Sequence, residues 1–143
     1  MLSYTCKTAV KAVIFLATKD EKAARTGIRE IAEHIEASEH TLGKMLQTLV
    51  RQDVIKSMKG PAGGFYISKE QRKQPLLKIV EAIDGKNIFK GCGLGLSRCS
   101  ATHPCPIHNE YKEARDIMDR IFRTKTVADL CKPVNNGIAY LFG

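Results

Sequence analysis

Residues 26–52 read TGIREIAEHIEASEHTLGKMLQTLVRQ and contain two short apolar patterns, each with the period of an amphipathic helix. The first pattern predicts a helix over residues 27–36, with Thr26 as its N-cap. The second predicts a helix that runs to residue 52, with Ser38 as its N-cap. Because only a brief break separates the two helices, the segment predicts a helix-turn-helix.

The next segment predicts a β-hairpin. Residues 54–59 and 65–67 have the composition of two strands, and the glycine- and proline-rich residues 60–64 form a turn between them. A hairpin that directly follows a helix-turn-helix is a wing. Its glycine-rich tip allows the backbone to approach a sugar–phosphate surface closely, and Lys56 and Lys59 flank that tip.

Further helices are predicted on both sides of this unit. Amphipathic patterns over residues 5–18, 75–85 and 106–123 predict three of them, and the capping-box sequence of residues 126–129 begins a short final helix. The polar residues 19–22 predict a loop. The predicted fold class is therefore mainly α, with a winged helix-turn-helix and one long helix near the end of the chain.

Three of the five cysteines lie in the glycine-rich stretch 91–108, in the pattern Cys-x6-Cys-x5-Cys-x2-His. The candidate metal ligands are Cys92, Cys99, Cys105 and His108. Thiolates select soft centres, namely zinc, copper(I) or iron–sulfur clusters. Zinc sites usually have closely spaced Cys-x(2–4)-Cys pairs, so these wider gaps favour a cluster of two or more irons. A zinc site and three unconnected thiols remain alternatives.

Composition and charge limit the class of protein. With 143 residues, 43% of them hydrophobic, the chain is expected to form a globular domain, and its net charge of +8 favours a polyanionic partner. It has no apolar run long enough for a transmembrane helix and no signal-peptide pattern, so we expect a cytoplasmic protein with no membrane partner. Thiols stay reduced there, which favours metal ligation over disulfides.

A helix-turn-helix places its second helix in the major groove of double-stranded DNA. The outward positions of that helix, together with the wing, are the predicted DNA-binding residues; a merely solvated helix face is the alternative for any single one. They are Ser38, Glu39, His40, Thr41, Lys44, Gln47, Thr48, Arg51, Lys56, Lys59, Gly60 and Gly63. Gly43 is unusual within this helix, since an interior glycine costs about 1 kcal/mol relative to alanine.

Over essentially its whole length, the order of elements resembles the Rrf-two family of bacterial winged-helix transcription regulators, which includes iron–sulfur regulators of the IscR and NsrR branches. The residues that carry the resemblance are residues 26–32, Ser38, Leu42 and Leu49 in the helix-turn-helix, residues 59–65 in the wing, residues 79–85, and the three clustered cysteines.

The resemblance implies a homodimer joined by the long helix that follows the cysteine loop. The implied dimerisation residues are Ile107, Tyr111, Ala114, Ile117, Met118, Ile121 and Phe122. A helix packed only within its own chain is the alternative. The implied domains are a DNA-binding domain over residues 1–85, a cluster-binding loop over residues 86–108, and a dimerisation helix with a tail over residues 109–143.

The resemblance also assigns the cluster ligands to the three cysteines of the loop. In the IscR branch a histidine after the third cysteine completes a 2Fe–2S site, and His108 matches that place better than His103 does. In the NsrR branch an acidic residue of the first helix serves a 4Fe–4S cluster. Lys7 or Thr8 stands there and neither can act as that ligand, so 2Fe–2S is favoured over 4Fe–4S.

The sequence therefore predicts a DNA-binding transcription regulator, a repressor, whose operator binding is controlled by an iron–sulfur cluster that senses redox state, iron–sulfur status or nitric oxide. A zinc-stabilised regulator or a metal-free thiol switch of the same fold is the alternative. An enzyme is not predicted, because the sequence suggests no nucleophile–base pair, phosphate loop or paired carboxylates.

Overall fold

The computed structural model describes residues 1–20, 22 and 25–143; the predicted loop over 19–22 therefore lies partly outside the described residues. It confirms the mainly α fold with a small hairpin. The elements in chain order are α1 (Tyr4–Thr18), α2 (Ile28–Ile35), α3 (Glu39–Arg51), β1 (Lys56–Met58), β2 (Gly64–Tyr66), α4 (Lys69–Arg72), α5 (Leu77–Asp84), α6 (His108–Thr124) and α7 (Val127–Asn135).

Helix α1 lies at the centre of the hydrophobic core. All residues from Ala12 to Ala17 are buried, and the helix packs against α2, α3, α5 and α7. A helix that is apolar on nearly every side is stable only when it is surrounded in this way. The largest fully buried core side chains include Leu16, Ile31, Ile35, Leu42, Leu46, Leu49, Ile55, Ile67 and Ile79. Each contributes roughly 1.5–3 kcal/mol through burial of apolar surface.

The helix-turn-helix consists of α2 and α3. Helix α2 ends where Glu36 adopts a left-handed conformation with φ 55°, and the buried faces of both helices join the same core. The prediction that Thr26 caps α2 is wrong, because Gly27 occupies the N-cap. Thr26 instead pairs with Phe65 through backbone hydrogen bonds of 3.0 and 2.8 Å. Thr26 is β-branched, and such residues favour the extended backbone that this pairing requires.

The wing is shorter than predicted, because Val54 and Ile55 are buried ahead of its first strand. Its strands are antiparallel, with Ser57 opposite Phe65. The tip requires glycine, since a Cβ added to Gly63 would lie 2.2 Å from the carbonyl oxygen of Met58.

The chain after the wing forms the remaining helices. Helix α4 was not predicted; it is a single turn that begins with a capping box between Ser68 and Gln71. Helix α5 begins at Leu77 rather than at Pro75, which forms an isolated β-bridge to Thr126, and α5 ends at Gly85 as predicted. The predicted capping box at the start of α7, between Thr126 and Asp129, is present.

Helix α6 begins at His108, two residues later than predicted, and His108 is its one buried residue. This helix lies at the side of the molecule against α5. The C-terminal tail returns to the core: Leu141 is buried, and the ring centroid of Phe142 lies 5.7 Å from that of His34. Helix α6 is thus a long helix with a large exposed surface.

Candidate cluster-binding loop and nucleic-acid interface

Helix α3 presents the predicted DNA-binding face to solvent. Residues Leu42, Met45, Leu46 and Leu49 turn into the core. The opposite face carries the exposed residues Ser38, Glu39, His40, Lys44, Gln47 and Arg51 and the half-buried residues Thr41 and Thr48. This division follows from the 3.6-residue period, and it leaves hydrogen-bonding side chains on the surface of the helix.

Two hydrogen bonds order the second half of this face. The Thr48 hydroxyl donates to the carbonyl oxygen of Lys44 over 3.1 Å, and it accepts from Nη2 of Arg51 over 3.1 Å. Gly43, Lys44, Gln47, Thr48 and Arg51 line a shallow groove along the helix. A Cβ added to Gly43 would lie 3.6 Å from Cδ1 of Ile28, an ordinary contact, so packing within the chain does not require this glycine.

The wing lies after α3 in the chain and carries further basic residues. Lys56, Lys59 and Gly60 are exposed, and Gly63 is half-buried. The guanidinium of Arg25 lies over the ring of Tyr66, 3.6 Å from its centroid. This cation–π contact was not predicted, because it joins residues that are distant in sequence.

The cysteine loop, residues 86–107, lies between α5 and α6. All five cysteines of the chain are free thiols. The loop turns sharply at Gly95, whose φ is 77° and whose N–H donates to the carbonyl oxygen of Cys92 over 3.1 Å. Hydrogen bonds from Leu94 and Leu96, with a further one from the Cys105 side chain, lower the pKa of the Cys92 thiol.

Of the four predicted metal ligands, the structure brings Cys99 and His108 together, with Cys99 Sγ 3.4 Å from Nδ1 of His108. Cys105 and His108 are both buried, and the His108 N–H donates to the carbonyl oxygen of Cys105 over 3.0 Å. The alternative ligand His103 is exposed, and its Nδ1 lies 3.4 Å from the Thr102 hydroxyl.

The donor set has the chemistry of a soft metal centre. Within the described residues, no three His, Cys, Asp or Glu side chains are gathered closely enough to hold a metal ion. Three thiols and an imidazole between residues 92 and 108 are nevertheless among the donors that iron–sulfur clusters use.

Two contacts between the loop and α6 were missed by the sequence analysis. A Cβ added to Gly93 would lie 2.7 Å from the Tyr111 ring, so the Gly93 backbone lies directly on that ring. Nη1 of Arg115 donates to the carbonyl oxygens of Lys90, over 3.1 Å, and Gly91, over 2.8 Å. In the sequence, a glycine next to the predicted ligand Cys92 is only a weak indication that the backbone lies close to another group. Nothing in the sequence pairs Arg115 with a segment 25 residues earlier.

The predicted dimerisation residues lie on two different sides of α6. Ile107, Ala114, Ile117 and Ile121 are exposed, with 44% of the Ile117 surface and 43% of the Ile121 surface open to solvent. Tyr111, Met118 and Phe122 are half-buried. Met118 and Phe122 pack against the small cluster of Cys6, Val80 and Phe89 within the same chain. The first set is the more exposed of the two.

In the part of the chain that the structure describes, none of the helices is both long and apolar enough to cross a membrane. The wing, the exposed face of α3 and the mainly α fold define a winged-helix transcription regulator. The Rrf2 family, described as "Iron-dependent Transcriptional regulator", matches residues 2–133. The chain belongs to the Rrf2 family and is a transcription regulator, not an enzyme.

Individual relatives agree with this assignment. An HTH-type transcriptional regulator of Aquifex aeolicus is 29% identical over 132 residues, covering 91% of this chain and 90% of its own. The NsrR regulator of Geobacillus kaustophilus is 26% identical, covering 91% of this chain and 88% of its own.

Solved structures confirm the fold. CymR, the global cysteine regulator of B. subtilis, superposes with a TM-score of 0.75 at 20% identity, covering 92% of this chain and 95% of its own. IscR of T. potens superposes with a TM-score of 0.72 at 18% identity, covering 97% of this chain and 91% of its own.

Proposed function

We propose that the protein is a homodimeric repressor whose binding to operator DNA depends on an iron–sulfur cluster held by residues 91–108. The observation that carries the proposal is the placement of three free thiols in the loop directly before α6 and of a buried imidazole at the first residue of that helix. The family description as iron-dependent and the relative named NsrR support an iron-containing cofactor.

In this proposal α3 enters the major groove and the wing lies along the backbone. Lys44 and Gln47 are exposed and can donate to base edges, whereas Arg51, Lys56 and Lys59 lie where phosphates would pass. The net charge of +8 adds a sequence-independent attraction that falls as salt rises. Gly43 leaves the middle of the helix face without a side chain, where IscR-like regulators carry a base-reading acid; the operator preference therefore differs.

Cys92, Cys99, Cys105 and His108 would hold the cluster, and a 2Fe–2S centre fits this donor set best. When bound, the cluster would supply one-electron redox chemistry at a potential raised by histidine ligation, together with reactivity towards nitric oxide. Lys90 and Arg98 are exposed cations on the same segment, and they offset the negative charge that three thiolates bring. The backbone N–H groups of Leu94 and Leu96 stabilise the Cys92 thiolate.

The exposed apolar side of α6 forms the dimer contact in this proposal. Ile107, Ala114, Ile117 and Ile121 would lose their solvent contact against the same residues of a second copy, as a twofold interface requires. The loop ends where α6 begins, so a change in the loop alters the start of the dimer helix. That change would alter the spacing of the two α3 helices, which must match half-sites about one helical turn apart.

A second candidate is a thiol switch; it is supported by the lowered pKa of the Cys92 thiol, to which a hydrogen bond from the Cys105 side chain contributes. A two-electron oxidant such as a peroxide would join these sulfurs in a disulfide, while the two thiols lose two electrons and two protons. Reduction by a dithiol would reverse the change. Zinc bound by the same four donors is a third outcome, and it would be colourless.

The first experiment uses protein purified without oxygen. Its iron and sulfide contents are measured, and its electron paramagnetic resonance spectrum is recorded. The cluster proposal expects about two irons and two sulfides per chain, since that is the content of a 2Fe–2S centre. The triple variant C92A/C99A/C105A should lose its visible absorbance and remain a folded dimer. Cys131→Ala, which removes a buried thiol of α7, is the matched control.

DNA fragments selected from a random library then report binding with and without the cluster. Equal binding by the loaded and the iron-free protein would refute the sensing role. Colourless protein with one zinc per chain would favour the zinc site, and a Cys92–Cys105 disulfide found by mass spectrometry after peroxide treatment would favour the thiol switch.

A further inference from the structure

The first part of the cysteine loop, residues 88–93, lies along one face of α6. The helix residues that it contacts are Tyr111, Arg115, Met118 and Phe122, whose spacings of four, three and four place them in one row. The segment runs antiparallel to the helix: Phe89 contacts Phe122, Lys90 and Gly91 contact Arg115, and Gly93 contacts Tyr111.

The contact nearest the C-terminal end of α6 is apolar. Phe89 is buried, and its ring centroid lies 5.6 Å from that of Phe122. Cys6 of α1 and Val80 of α5 complete the cluster around it. This contact fixes the beginning of the loop to three helices at once.

The middle contact is made by a buried cation. Only 10% of the Arg115 side chain is exposed, and its nearest carboxylate oxygen, from Asp116, is 3.9 Å from Nε. Hydrogen bonds to the carbonyl oxygens of Lys90 and Gly91, the shorter of them 2.8 Å, are therefore its main polar contacts. A buried guanidinium without such acceptors is strongly unfavourable, so the loop and the side chain hold each other in place.

The contact nearest the N-terminal end of α6 is a close steric fit. Gly93 has no side chain, and its backbone lies against the Tyr111 ring at a distance that no Cβ could occupy. Cys92 is therefore held between Gly91, which Arg115 binds, and Gly93, which Tyr111 contacts. Beyond this point the loop leaves the helix, and Leu94 and Leu96 are 55% and 53% exposed.

We propose that Arg115 and Tyr111 are positioning residues that fix Cys92 to α6 even without the cofactor, so that cofactor loss frees residues 94–104 and not residues 88–93. This inference rests on the proposed function for the cofactor, but the docking itself can be tested on iron-free protein. It also assigns Tyr111 to the cluster side of α6, away from the exposed side that carries Ile117.

Hydrogen–deuterium exchange of the iron-free protein tests the docking directly. Peptides covering residues 88–93 should exchange slowly in the wild type and at least about tenfold faster in Arg115→Ala, because two hydrogen bonds to a charged donor are lost. Lys112→Gln is the matched control, since it removes an exposed cation of the same helix whose Nζ is paired with Asp116. Exchange that stays within twofold of wild type in Arg115→Ala would overturn the proposal.

A second pair of variants tests the contact with the ring and does not depend on Arg115→Ala folding. Gly93→Ala and Tyr111→Ala should each speed exchange of residues 88–93, because the first adds a methyl group that meets the ring and the second removes the ring that Gly93 contacts. The double variant should exchange no faster than the faster of the two single variants, because both changes break the same contact. Unchanged exchange in both single variants contradicts the docking.

Cofactor release links the docking to the proposed function. In protein reconstituted without oxygen, Arg115→Ala should lose iron to a chelator about tenfold faster than wild type, and Lys112→Gln should not. Unchanged release from Arg115→Ala would overturn the positioning role. If the wild type takes up no iron, the cofactor proposal fails, and the exchange measurement still decides whether the docking exists.

Discussion

Cys99 Sγ lies 3.4 Å from Nδ1 of His108, so the second cysteine of the loop meets the first residue of α6. The histidine is buried there, whereas His103 is exposed on the loop. Because the imidazole and a thiol already lie side by side, we expect His108, and not His103, to be the fourth ligand of the proposed cluster.

Substitution of His108 tests this assignment. His108→Cys should retain a cluster but lower its reduction potential by on the order of 100 mV, because thiolate ligation stabilises the oxidised state more than imidazole does. His103→Cys should leave the potential unchanged. Spectroelectrochemical titration measures both variants, and a shift in the His103 variant alone would transfer the ligand role to that residue.

Substitutions on the DNA-binding face should have one of two effects on DNA binding. Gln47→Ala should weaken binding to the preferred site by about 1–3 kcal/mol and relax its sequence preference, since Gln47 is proposed to contact base edges. Lys59→Ala should weaken binding to all DNA and reduce the salt slope by about one, as expected for one lost phosphate contact. Fluorescence anisotropy at several salt concentrations separates the two effects. Lys86→Ala, which removes an exposed cation outside α3 and the wing, is the control.

Two glycines near this face should respond oppositely to alanine. Gly43→Ala should raise the free energy of unfolding by about 1 kcal/mol, because the new Cβ has space beside Ile28 and alanine favours the helix. Gly63→Ala should lower it, because its Cβ would collide with the backbone of Met58. Urea denaturation measures both changes. A destabilised Gly43→Ala would contradict the packing described for α3.

Much of the fold could be predicted because its signals are local. The periods of α1 and α3, the Thr126–Asp129 capping box and the glycine that ends α5 depend on residues close together in sequence, and the structure confirms each of them. Thr26 shows where local signals fail. Its sequence fits an N-cap, but its backbone pairs with Phe65, which is 39 residues away.

The candidate site could be predicted only as a set of residues. Four donors could be named from their spacing, but the contact between Cys99 and His108 depends on the path of the loop towards α6. The predicted dimerisation residues of α6 were expected to form one surface, because helical periodicity does not distinguish a contact within the chain from one with another molecule. Phe122 is half-buried and Ile121, its neighbour in sequence, is exposed, so the predicted residues lie on two different sides of the helix.

The buried thiol of Cys6 predicts a dependence of stability on alkaline pH. Burial raises its pKa from the ordinary 9.0 to about 12, and the nearby Asp84 carboxylate acts in the same direction. Between these values the unfolded chain has lost the thiol proton and the folded chain has kept it. The free energy of unfolding should therefore fall as pH rises from about 9 to 12.

Cys6→Ala isolates this contribution from the titration of lysines and tyrosines. Its unfolding free energy, measured by urea denaturation, should fall less steeply over the same pH range than that of the wild type. Parallel curves for Cys6→Ala and the wild type would show that Cys6 keeps an ordinary pKa.

The exposed side of α6 provides the test of the dimer. Ile117→Glu together with Ile121→Glu should give a monomer in sedimentation velocity, because two buried carboxylates across a twofold axis would be unpaired and would repel. The monomer should remain folded, since both side chains are exposed within a single chain. It should also bind a single half-site weakly and lose its preference for two half-sites at fixed spacing. Glu113→Gln, a change of a neighbouring exposed residue, is the control, and a double variant that stays dimeric would place the interface elsewhere on the molecule.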